Sequence, residues 1–153
     1  HEVITAAVEL LQRDCQRRGV ALDVNLAPDV PAVLADAVLI EQVVINLVRN
    51  AADALQAREG GRRIAVSSRV AGDFVRVDVQ DNGPGLQGQR VEQLCAPFYS
   101  TKSDGMGMGL AICRSIIEAH QGVLDASEAP GGGALFSFSL PLSRQTQTET
   151  VHG

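Results

Sequence analysis

The chain has 153 residues, 45% of them hydrophobic but only 3% aromatic, which suits a single domain with an aliphatic core. A formal net charge of −5 argues against a non-specific binder of nucleic acid or of anionic membrane surfaces. Cys15, Cys95 and Cys113 form no CxxC pair and leave one cysteine over, which argues for a reducing compartment and against a disulfide framework or a zinc site.

In chain order, residues 2–18 carry an aliphatic stripe (Val3, Ala7, Leu10, Leu11) at helical spacing that stops at Gly19. Residues 20–26 alternate as a strand. A proline-containing connection, APDVPAVLAD, leads to Asp36, which can cap a long helix from Ala37 to about Ala57, stopped by Gly60-Gly61. Two strands follow, 62–70 and 73–81, joined as a hairpin across Ala71-Gly72. Residues 82–108 hold glycines 83, 85, 88, 105 and 107 and no long periodic run, apart from a short helical turn near Val91–Leu94. That is too long for an idle connection and reads as a binding loop or lid. Gly109 to His120 is helical, with Gly122 where a C-terminal cap would sit, and 123–127 and 134–140 form a last hairpin around APGGG. The polar residues 143–153 read as a disordered tail after a domain over 1–142. No apolar run approaches the roughly 20 residues of a membrane span, and no signal peptide opens the chain; its start at His1 rather than Met suits a piece of something longer. Helices and antiparallel strands in blocks predict an α/β sandwich: one mixed, mostly antiparallel sheet with helices on one face.

Three features carry chemistry. In FVRVDVQD, Val75, Val77 and Val79 alternate with polar residues, and one more step puts Asp81 on the dry side of its strand. A carboxylate there needs a partner, whether a ligand or the turn that it would cap. On the helix from Ala37, Gln42, Asn46, Asn50 and Asp53 form a polar stripe about 80° wide. A solvated face is the plain reading of such a stripe. Yet Asn is about 0.6 kcal/mol worse than Ala in a helix, and amide oxygens are hard ligands that suit Mg²⁺. Finally, DNGPGL and GMGMGLAI place glycines at a strand end and before a helix, where backbone N–H groups and the helix dipole favour phosphate. G-x-x-x-x-G-K-[ST] is absent, and no strand leads directly into GMGMGL, so the two common nucleotide-loop patterns do not apply.

Taken together, NLVRNA (46–51), DNGPG (81–85), PFYSTK (97–102) and GMGMGL (105–110) closely resemble, in order and spacing, the N, G1, F and G2 boxes of sensor histidine kinase ATP-binding domains. That superfamily is shared with DNA gyrase B, Hsp90 and MutL. The likeness covers about residues 3–141, and its wording is most like the nitrogen-regulation and oxygen-sensing branch. The resemblance implies a Bergerat-type fold that binds ATP and Mg²⁺. It implies that Asp81 accepts a hydrogen bond from the adenine amino group, that Asn50 coordinates magnesium and that Asn46 faces the same phosphates, with Asp53 in their stripe. Gly83 and Gly85 would let the chain pass close to the adenine. Gly105, Met106, Gly107, Met108, Gly109 and Leu110 would form the lid hinge and the phosphate end of the following helix. Phe98 would pack the lid, or simply lie in the core; Lys102 would meet phosphate, or simply water, and Arg49 is open in the same way.

Hydrolytic relatives carry a general-base Glu four residues before the magnesium Asn. Here that position is Asn46, which cannot take a proton, so the γ-phosphate is expected to be kept for an outside acceptor. The resemblance implies that the acceptor is a His on a separate helical dimerisation domain, and that a response regulator receiver domain is a further partner. It also implies a cytoplasmic domain without nucleic-acid or direct membrane contact, whether or not the parent protein is membrane-anchored. HEVITA (1–6) is superficially like the phosphoacceptor box, but Ala6 replaces its usual Pro; His120 reads as structural and His152 lies in the tail. Two alternatives are an ATPase or anti-sigma-type serine kinase of the same superfamily, and a nucleotide-responsive interaction module without transfer activity.

Overall fold

The computed structural model describes residues 2–27, 33, 35–95 and 109–142. Helix α1 (Glu2–Arg17) buries Ile4, Ala7, Val8, Leu11 and Cys15. Leu10, expected within its stripe, is instead 64% exposed, because the buried face is set by the four-residue steps from Ala7 to Leu11 to Cys15. Gly19, in the left-handed region at φ 69°, turns the chain into strand β1 (Val20–Leu26).

Helix α2 (Ala37–Ala54) starts where expected, with the Asp36 carboxylate accepting from the N–H groups of Val38 at 3.0 Å and Leu39 at 3.2 Å. It buries Ile40, Val43, Val44, Leu47, Val48, Ala51 and Ala52 along one side. Its last expected turn, Leu55–Ala57, is a 3-10 turn, and Gly60 and Gly61 follow with positive φ.

Strands β2 (Arg62–Ala71), β3 (Phe74–Asp81), β4 (Val123–Glu128) and β5 (Ala134–Pro141) complete a five-stranded sheet in the order β1-β2-β3-β5-β4. Among the described residues only the β1–β2 pairing is parallel, so the sheet is mixed and mostly antiparallel. The β2–β3 turn is Gly72-Asp73, one residue later than expected, since Ala71 still pairs with Phe74 and Gly72 takes the positive φ of 62°. Val75, Val77 and Val79 of β3 join Phe136 and Phe138 of β5 and the buried side of α2 in one core. Arg76 lies on the opposite face, where it pairs with Asp78 at 3.0 Å and donates to the Ser137 hydroxyl at 2.9 Å.

Beyond the short helix α3 (Val91–Leu94), helix α4 (Gly109–Ala119) packs on α2 through buried Cys113 and Ile117. Gly122 is not the left-handed cap. Gln121 takes that conformation at φ 62°, donating to the Glu118 carbonyl at 2.9 Å, while the Gly122 N–H reaches the Ile117 carbonyl at 2.9 Å. Gly122 is required by packing: a Cβ there would lie 1.9 Å from the Ser139 carbonyl oxygen of β5. His120 is structural, as expected: its Nε2 accepts the Asp36 N–H at 3.1 Å and its Nδ1 lies 2.7 Å from the Ile116 carbonyl, tying the end of α4 to the start of α2. Among the described residues no helix is long and apolar enough to cross a membrane.

Candidate functional site

Strand β3 delivers Asp81 in the valine row, and its side is indeed dry: Asp81 is 3% exposed. Its Oδ1 accepts the N–H groups of Gly83 at 2.8 Å and Ala134 at 3.3 Å. Asp81 therefore does cap the following turn, but with one oxygen. Among the described residues both bonds fall on Oδ1. Burial pushes the Asp81 carboxyl above its ordinary pKa; the two backbone donors pull it down, and the charge of Glu128 pushes it up further.

The glycines around Asp81 have distinct reasons. A Cβ on Gly83 would lie 3.1 Å from Asp81 Oδ1 and 3.4 Å from both the Ala54 carbonyl and Leu55 Cδ2, so this turn sits tightly against the end of α2. Gly85, at φ 83°, leaves room for the Glu128 carboxylate, whose two oxygens would be 2.8 Å from a Cβ. Gly133, at φ 97°, lets the β4–β5 turn cross directly over the Asp81 carbonyl, 1.9 Å from where a Cβ would be. Asn82 extends the β2–β3 ladder, accepting the Arg63 N–H at 2.9 Å and donating to the Gly61 carbonyl at 2.7 Å.

The polar stripe of α2 is not a solvated face. Gln42 is exposed, but Asn46, Asn50 and Asp53 are half-buried. Gln42 Nε2 donates to Asn46 Oδ1 at 3.0 Å. On the α4 side the Asn46 amide meets the Cys113 sulfur, whose S–H donates to the Val43 carbonyl at 3.9 Å. Burial pushes that thiol up to about 11, and the Asn46 bond offsets part of the rise. Two turns further along, Asp53 accepts the Arg18 guanidinium of α1 at 2.8 Å. Asn50 lies on α2 between Asn46, which meets α4, and Ala54, which meets the Gly83 turn.

Gly109 opens α4, and half-buried Leu110 packs against the core. Phe98, Lys102, Gly105, Met106, Gly107 and Met108 lie outside the described residues, as do His1, His152 and the tail. Among the described residues no group of three His, Cys, Asp or Glu side chains is placed to hold a metal ion.

A family model described as histidine kinase-, DNA gyrase B-, and HSP90-like ATPase matches residues 35–144. The chain belongs to this family. This kinase domain is 40% identical over 150 residues to the sensor histidine kinase ZraS of Klebsiella oxytoca, a match covering 97% of the chain and 32% of ZraS. It spans about a third of that relative's length. The catalytic domain of histidine kinase ThkA, in a nucleotide-free form, superimposes with a TM-score of 0.81 at 32% identity, covering 92% of this chain and 90% of that one. ThkA in complex with the response regulator protein TrrA matches with a TM-score of 0.73 at 29% identity, over 93% of this chain and 40% of that one. The chain is the ATP-binding catalytic domain of a sensor histidine kinase.

Against this kinase fold, the structure brings together Asp81, Gly83 and the end of α2, and it brings Asn46 to α4. Sequence reasoning missed Glu128 and Gly133 beside Asp81, and Arg18 on Asp53. Only Gly133 left a trace in the sequence, as the last of three glycines that were read as a hairpin turn.

Proposed function

We propose that this kinase domain binds Mg-ATP with the adenine amino group on Asp81, and donates the γ-phosphate to a His on a separate helical dimerisation domain. From there the phosphoryl group passes to a response regulator receiver domain. The observation that carries the reading is Asp81: a buried carboxylate oriented by two backbone N–H groups on one oxygen, with the other taken to accept an exocyclic N–H. Asn50 would hold the magnesium ion and Asn46 would face the phosphates. When bound, the ion would neutralise charge on the transferring phosphoryl group. Asn46 cannot deprotonate water, which favours transfer over hydrolysis. The start of α4 at Gly109 would offer a helix N-terminus to phosphate, and Gly105, Met106, Gly107 and Met108 would contribute by the resemblance alone. A cytoplasmic setting supplies both ATP and magnesium.

Calorimetry with Mg-ADP tests the adenine contact. Asp81→Asn keeps an oxygen for Gly83 and Ala134 but loses the charge. A hydrogen bond to a charged group is worth about 1.5–3 kcal/mol, so affinity should fall between about ten- and a hundredfold with the fold intact. Unchanged ADP affinity would refute the assignment.

A further inference from the structure

Glu128, the last residue of β4, belongs to none of the four sequence boxes. Its carboxylate nevertheless spans two segments that build the Asp81 environment. Both of its oxygens accept the N–H of Leu86, at the end of the turn that begins with Gly83; the longer contact is 3.2 Å. On its own side, Glu128 pairs in register with Ala134, which is the second backbone donor to Asp81 Oδ1. Gly85 has no side chain where the carboxylate sits. Glu128 thus cross-links the two segments whose N–H groups hold Asp81 Oδ1.

We propose that Glu128 is a positioning residue for nucleotide binding: it holds the 83–86 turn against the β4–β5 hairpin and so sets the direction of the Asp81 carboxylate. This inference rests on the adenine reading of Asp81. Glu128 is also the charged group that acts on Asp81 among the described residues. Ala54 of α2 and Leu55 of the following 3-10 turn meet the same turn, and Ala134 of β5 meets Asp81 itself; none of these titrates. Removing the Glu128 charge while keeping an acceptor for Leu86 therefore lowers the pH at which Asp81 takes up its proton.

The test is Mg-ADP affinity of the 153-residue chain by calorimetry from pH 5 to 8, for wild type, E128Q, E128A and D81N. E128A loses the tether, and its affinity at neutral pH falls about tenfold. E128Q keeps an acceptor oxygen, recovers affinity to within about twofold, and moves the acid limb of the binding profile to lower pH. Wild-type affinity in E128A, affinity in E128Q as low as in E128A, or an acid limb in E128Q that coincides with wild type overturns the proposal. If E128A fails to fold by circular dichroism, affinity and the acid limb of E128Q decide. Should D81N bind like wild type, the adenine reading falls and takes this inference with it. If D81N is weakened and the Glu128 variants are not, Glu128 alone is dismissed.

Discussion

Asp81 has opposing influences on its charge even without a ligand. Burial and Glu128 raise its pKa and two backbone donors lower it, with a net rise. Because the folded value lies above the unfolded one, the protonated form contributes stability that is complete below the ordinary carboxylate range and is lost as pH rises through the raised value. Urea unfolding of the ligand-free chain from pH 4 to 8 should therefore show Asp81→Asn gaining on wild type across that window and holding a constant difference above it. Parallel pH profiles for the two proteins would mean that the carboxylate is not desolvated. Asp81 itself was legible because a period of two is visible in eight consecutive residues. Its neighbours were not. The Leu86–Glu128 and Gly133–Asp81 contacts join residues far apart in the chain, and no local pattern marks Glu128 as anything but a polar residue on an edge strand.

Among the elements, the end of α4 separates two reasons for a glycine. Gln121 takes the left-handed cap, where a residue with a Cβ is strained, while Gly122 is pressed against the Ser139 carbonyl. Neighbouring substitutions should consequently act in opposite directions. Gln121→Gly should stabilise the domain by about 0.5–1 kcal/mol through relief at the cap. Gly122→Ala should destabilise it by about 2 kcal/mol or more, because the edge of β5 cannot retreat without breaking its pairing with β4. Denaturant midpoints at constant slope measure both, and a neutral Gly122→Ala would show that the approach of the two backbones is slack. The helix end was predictable from sequence because a glycine stood near it, but which residue turned left-handed depended on β5. The polar stripe of α2 divides in the same way. Its spacing was legible, whereas the Cys113 contact of Asn46 and the Arg18 contact of Asp53 depend on how α4 and α1 dock.

For the molecule as a whole, the placement of α2 against both α4 and the Asp81 turn frames the proposed nucleotide site, and the proposed phosphoacceptor lies on another domain. His120 is engaged on both ring nitrogens, by the Asp36 N–H and the Ile116 carbonyl, so it is committed to joining α2 and α4. An amide at Asn46 cannot take a proton, so under the proposed function water is a poor acceptor as well. Incubated with γ-labelled ATP and magnesium, the isolated chain should acquire no acid-labile, base-stable label and release little phosphate. Adding the helical dimerisation domain of the parent kinase should place the label on that domain's histidine. Chelating magnesium should abolish the transfer, and Asn50→Ala should reduce it by more than any change in melting temperature accounts for, the loss being read at a temperature where both proteins are folded. The magnesium arm and the acceptor arm fail separately. Transfer that survives in Asn50→Ala removes the metal role from that amide, whereas label on the isolated chain means that an acceptor lies within these residues and that the two-body arrangement is wrong.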